Sequence, residues 1–150
     1  MARIRPDGYR LSFDRDDVDL GVVHGFLTTS YWSPGIDRAR VAKAVAGSMC
    51  ASVFDAAGAQ VGFARAITDY TSFAYLADVF VLPEHAGRGL ARWMTQALIE
   101  HPDLATVRRW MLATQDAHGV YAACGFHPLE DPSRIMEYRP PQGQFPGATA

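Results

Sequence analysis

The chain has 150 residues, 49% of them hydrophobic and 20% charged, with a formal net charge of −2. That is one domain's length, enough to bury a core without disulfides or metal, and the charge gives no duplex-binding surface, so no nucleic-acid partner is expected. Cys50 and Cys124 form no C-x-x-C pair and lie at no zinc-ligand spacing, so no metal is expected and a reduced, cytoplasmic setting fits.

Taken in chain order, "YRLSF" alternates and is bounded by Gly8 and Asp14, as a short strand is. A helix is predicted from Asp16 or Asp17 to about Thr28, since acidic residues suit a first turn. Pro34 and Gly35 break the pattern within "TTSYWSPG". A second helix follows from about Asp37 to Gly47, with Val41 and Val45 on one face. "SMCASVFD" and "QVGFARAIT" read as strands joined by a hairpin turn around Gly58. "SFAYLADVFVL" is apolar on both faces and is predicted to be central.

Leu90, Trp93, Met94, Ala97 and Leu98 recur at helical spacing, and this helix stops near His101-Pro102. "TVRRWMLAT" reads as a strand, "DAHGVYAAC" as a short helix ended by Gly125, and "IMEYR" as a closing strand. The order β-α-α-β-β-β-α-β-α-β describes an α/β (α+β) fold: a mixed, mostly antiparallel central sheet flanked by helices. One domain is expected over residues 1–139, with a mobile Pro/Gly-rich tail over 140–150. "MARIRPDGYR" has no apolar segment and is not expected to be a signal peptide. No run is long enough to cross a bilayer, so no membrane partner is expected.

The stretch "VFVLPEHAGRGLARWM" runs from strand through a Pro/Gly loop into a helix. Backbone N–H groups at a helix start lack helical partners, and the helix dipole favours an anion there. Gly87 and Gly89 allow close approach, and Arg88 adds a cation. A Walker A loop needs a lysine that is missing here, and Arg92 stands where a dinucleotide fingerprint needs a third glycine.

The run from Val81 to Ala91 resembles motif A of the GNAT superfamily of N-acetyltransferases, which has the form R/Q-x-x-G-x-G/A after a strand ending V-x-P. "VYAACGF" resembles that family's C-terminal signature, an aromatic residue four before Gly-Phe. The resemblance spans roughly Tyr9 to Tyr138 and touches a bacterial-type subgroup of small members. It implies acetyl-CoA as cosubstrate, no metal, and a fold in which loop amides wrap the cofactor pyrophosphate. The cofactor-binding residues it implies are Val79, Phe80, Val81, Ala86, Gly87, Arg88, Gly89, Leu90, Ala91 and Thr114. Two of these depart from the pattern: Ala86 replaces the first Arg or Gln, and Thr114 replaces an Asn common in the family. Backbone amides survive the first change, so weaker cofactor binding is expected rather than its loss; a missing hydrogen bond to a charged group costs about 1.5–3 kcal/mol or less at an exposed loop. Family members often dimerise, which makes a homodimer an expectation.

Acetyl transfer to an amine needs a group to take the amine's proton and a donor for the leaving sulfur. The resemblance places Asp78 as the base, directly or through water, and Tyr121 as the acid. An apolar strand would raise the pKa of the Asp78 carboxyl; the alternative is that Asp78 accepts hydrogen bonds from backbone or an arginine. Tyr121 as a core tyrosine is the alternative to its role as acid. His118, His85 and Cys124 rank below them; Cys124 reads as a small buried hydrophobe. Tyr31 and Trp32, in the loop between the first two helices, are expected to wall the acceptor pocket or, alternatively, to cover the core. Arg65, Asp69 and Tyr70 are expected to add polar contacts.

The leading expectation is therefore an acetyl-CoA-dependent N-acetyltransferase for a small-molecule or peptide amine. A non-catalytic acyl-CoA-binding or sensing domain is the alternative.

Overall fold

The computed structural model describes residues 3–141. Its six strands lie in sequence order across one sheet: β1 (Arg3–Ile4), β2 (Arg10–Ser12), β3 (Met49–Phe54), β4 (Gln60–Thr68), β5 (Phe73–Val81) and β6 (Arg109–Met111). All neighbours are antiparallel except β5 and β6, which are parallel. Parallel neighbours need a crossover, and α3 (Leu90–Ile99) supplies it.

Alternation along the strands sends successive side chains to opposite faces. Leu11, Met49, Ala51, Val53, Ala64 and Leu76 pack with Leu90, Met94, Ala97 and Leu98 of α3. On the other face Cys50, Phe63 and Phe80 pack with α1 (Leu20–Leu27) and α2 (Arg38–Ala46). The sheet is thus sandwiched, as the mixed, mostly antiparallel reading expected. A short α4 (His118–Ala122) follows β6.

Three differences from the sequence reading have physical causes. The first helix starts at Leu20, not Asp16 or Asp17; residues Arg15–Asp17 form only a 3-10 turn. The Asp17 carboxylate accepts from Ser12 Oγ at 2.6 Å, and the Asp19 N–H donates to Gln60 Oε1 at 2.6 Å. These two ties hold the segment to the sheet, and Asp19 becomes the N-cap by accepting from the Val22 N–H.

β1 was not anticipated: two exposed residues carry no periodic signal. "IMEYR" is not a strand. Pro132–Arg134 form a 3-10 turn, and the residues after it do not join the sheet. Met136 is 93% exposed and Tyr138 82%, so the alternation has no buried face to match. The tail expected over 140–150 lies, from residue 142, outside the described residues.

Candidate active site

The site begins with an irregularity in one ladder. Phe63 pairs with Phe80 and Arg65 with Ala77, so Ala64 alone faces both Asp78 and Val79. This is a β-bulge, and Asp78 carries its strain at φ +55°. Aspartate is one of the few non-glycine residues that visit this region. In that setting the Asp78 carboxylate meets two donors. Arg65 Nε donates to Oδ2 at 2.6 Å, and Trp32 Nε1 donates to Oδ1 at 2.9 Å. Arg65 Nη1 reaches Ser48 Oγ at 3.0 Å, and Ser48 Oγ donates to the Ala44 carbonyl at 2.7 Å. One carboxylate therefore ties together β4, the end of α2 and the loop after α1. Of the readings weighed for Asp78 from its apolar strand, acceptance from an arginine is the one the structure shows.

The second feature is a gap in the sheet. β6 pairs only with Phe73, Ala74 and Tyr75, the first three residues of β5. Beyond them the side of β5 away from β4 has no strand beside it among the described residues. A cavity of about 800 Å³ opens there. Asp78, Val79, Phe80 and Val81 of β5 line it, together with Thr114 and Tyr121 from the chain after β6 and Tyr31 and Trp32 from the loop after α1. The structure thus brings together both expected catalytic residues, both expected acceptor-site aromatics and four of the expected cofactor-binding positions.

Burial pushes the Tyr121 phenol up to about 12, with the nearby Tyr31, Cys124 and Asp116 adding to the shift. Its proton is therefore held firmly across the neutral range. Thr114 Oγ1 accepts from the Ala117 N–H at 3.0 Å, bracing the turn into α4 while its own hydroxyl proton can still be donated. Trp32 packs edge-on against Tyr31 and tilts toward Phe26, which stacks on Phe80 at 4.2 Å. Trp32 thus packs toward the core aromatics, and both rings line the cavity.

The glycine loop lies beyond the cavity lining, where β5 ends. Pro83–His85 form a 3-10 turn, Ala86 is extended, and Gly87 and Gly89 sit at φ +78° and +72°. Gly89 is the N-cap of α3, and no side chain caps that end. Leu90 is buried beneath it in the core. A Cβ placed on Gly87 or Gly89 would meet no protein atom within 4 Å. Neither glycine is there to make room for the protein itself. Uncapped N–H groups, open space beside them and a bare strand edge leading to them fit a phosphorylated, pantetheine-like ligand.

Several minor candidates fall elsewhere. His85 Nδ1 lies 2.7 Å from the Tyr9 hydroxyl, and His118 is exposed outside the cavity lining. Cys124 is half-buried rather than buried, and burial pushes its thiol up. Asp69 braces the β4–β5 turn instead of an acceptor pocket. Arg139, Gln115 and Asp116 line the cavity and were missed, because no local pattern marks a loop residue that meets a distant strand. Among the described residues no cluster of His, Cys, Asp or Glu could hold a metal, and no helix is long and apolar enough to cross a membrane.

Comparison with known proteins agrees with this geometry. The profile of the Acetyltransferase (GNAT) family matches residues 24–126. A GNAT-family protein of Xanthomonas campestris pv. campestris is 46% identical, with 89% of this chain and 94% of that one covered and a TM-score of 0.84. A predicted acetyltransferase of Clostridium acetobutylicum, solved with acetyl-CoA, shares the fold at 15% identity, with 93% of this chain and 96% of that one covered and a TM-score of 0.66. A Gibberella zeae protein, FG08082, whose name assigns it provisionally to the acetyltransferases, is 52% identical over 58 residues. That match covers 38% of this chain and spans about a third of that relative, 33%. With a bulged strand, a split sheet and a glycine loop all falling inside the matched span, the chain belongs to the GNAT family of acetyltransferases.

Proposed function

We propose that the protein transfers an acetyl group from acetyl-CoA to a primary amine of a small molecule or peptide, by direct attack of the amine. The observation that carries this reading is the gap beside β5: Asp78 and Tyr121 line the same cavity there, and β5 runs on to an uncapped helix N-terminus. When bound, acetyl-CoA supplies an acetyl group already activated as a thioester.

The backbone of Val79, Phe80 and Val81 offers strand-like pairing to the pantetheine amides. The loop amides from Gly87 to Ala91 would hold the pyrophosphate, with Ala86 contributing only backbone and Arg88 a nearby cation. Thr114 donates its hydroxyl proton toward the same ligand.

Asp78 takes the amine's proton through a water. An ionised carboxylate has about four acceptor sites, and Arg65 and Trp32 occupy one on each oxygen. Tyr121 donates a hydrogen bond where charge gathers on the leaving sulfur. A phenol pushed up to about 12 holds its proton more tightly than a thiol does, since free thiols titrate near 8.5. Tyr121 therefore works as a donor that keeps its proton rather than as a source that loses it. Tyr31 and Trp32 wall the acceptor side.

The second reading, acyl-CoA binding without turnover, draws support from the commitment of Asp78 to Arg65 and Trp32. Calorimetric titration with acetyl-CoA, followed by an amine screen that reads free thiol release, separates the two. Binding at micromolar concentration that is lost in Gly89→Trp, with thiol release on adding an amine, supports transfer. Binding with no release across diamines, amino acids, amino sugars and peptides would favour the second reading. No binding at millimolar acetyl-CoA would defeat both.

A further inference from the structure

The segment before β2 holds the glycine loop from behind. Arg5 Nη2 donates to the Arg88 carbonyl at 3.0 Å, across 83 residues of sequence. The same guanidinium is fixed by Asp7 and stands over the Trp93 ring at 5.2 Å. Four residues on, the Tyr9 hydroxyl lies 2.7 Å from His85 Nδ1, two residues before the first glycine. The chain between Arg5 and Tyr9 is a closed turn, with the Arg5 N–H donating to the Tyr9 carbonyl at 2.8 Å. The two anchors therefore belong to one unit.

A trans peptide is planar, with its C=O and N–H pointing in opposite directions. The carbonyl of Arg88 and the N–H of Gly89 belong to one such unit. Turning that carbonyl toward Arg5 turns the Gly89 N–H away from it, out of the N-terminal turn. Glycine alone would leave this peptide free to flip, because either sign of φ is open to it. No side chain caps the start of α3, and position 86 is an alanine.

We infer that Arg5 and Tyr9 are positioning residues of the cofactor site, setting the direction of the loop amides that receive the pyrophosphate. This rests on the acetyl-CoA reading of the loop above. The ligand chemistry concerned is a diphosphate diester, and neither residue lines the cavity that holds Asp78 and Tyr121.

The test compares two ligands on Arg5→Met and on Tyr9→Phe, which removes only a hydroxyl should the first variant fold poorly. Acetyl-CoA carries the pyrophosphate and S-acetylpantetheine lacks it. Each Kd is measured by calorimetry, that for S-acetylpantetheine by competition if weak. The expected result is an acetyl-CoA Kd raised about tenfold in Arg5→Met and less in Tyr9→Phe, with the S-acetylpantetheine Kd changed less than twofold. General loosening of the fold would raise both and overturn the inference, as would an unchanged acetyl-CoA Kd. A wild-type protein that fails to bind acetyl-CoA would overturn the functional reading and this inference together.

Discussion

Arg65 Nε lies 2.6 Å from Asp78 Oδ2, and the two side chains are only 15% and 10% exposed. The pair joins neighbouring strands across a bulge, and Trp32 closes it from the loop after α1. Breaking a largely buried pair leaves one charge without a partner, at a cost of about 3–5 kcal/mol. Asp78→Asn keeps the shape and an acceptor for Trp32 but strands Arg65. Urea unfolding should show a loss near the lower end of that range. Arg65→Met in the Asp78→Asn background should recover part of it, since the double mutant buries no lone charge. Amine-dependent turnover should fall in Asp78→Asn while acetyl-CoA binding persists.

Tyr121 should show its role in the pH dependence of the rate. With burial holding the phenol up to about 12, its contribution should stay flat between pH 7 and 10 instead of fading near the ordinary tyrosine value of about 10. Tyr121→Phe should lower kcat by about 10²-fold or more, the usual size of an acid–base or donor contribution. The stability linkage has a definite sign. The folded value lies above the unfolded one, so this stabilisation is intact below pH 10 and is lost as the pH rises toward 12. In urea titrations across that window the wild type should lose stability relative to Tyr121→Phe, which has no group there to ionise.

Gly89 and Gly58 make a controlled pair. Both have positive φ, at +72° and +90°, and a Cβ on either meets no protein atom within 4 Å. Alanine at each should therefore cost about 1–2 kcal/mol of backbone strain and little else in the free protein. Gly58 turns the β3–β4 hairpin, far in sequence from the glycine loop. Gly89→Ala should weaken acetyl-CoA binding, whereas Gly58→Ala should lower Tm by a similar amount and leave the Kd unchanged.

Asp69 contributes to acid stability. The Ser72 hydroxyl and the backbone N–H groups of Ser72, Thr71 and Phe73 hold its carboxyl well below the usual carboxylate range. Its contribution is present above about pH 4 and is lost as the pH falls through the depressed folded value. Asp69→Ala should flatten the wild-type decline in Tm below pH 4 and lower Tm at pH 7, with acetyl-CoA affinity unaltered.

The sequence by itself determined the features that depend on near neighbours. The strand at "QVGFARAIT", the apolar stripe from Leu90 to Leu98 and the helix with Val41 and Val45 on one face each need only a few adjacent residues to be legible, and each formed as read. So did the open loop at Gly87 and Gly89, because its backbone dihedrals are a local choice. What only the tertiary structure decided depends on register and reach. A bulge exists only between two strands, so nothing near Asp78 announced its positive φ or its pairing with Arg65. Arg5 meets Arg88 only after the sheet has been built between them. "IMEYR" carries the alternation of a strand, but alternation stabilises one only where a sheet edge and a buried face are within reach, and the turn at Pro132–Arg134 leads the chain to neither.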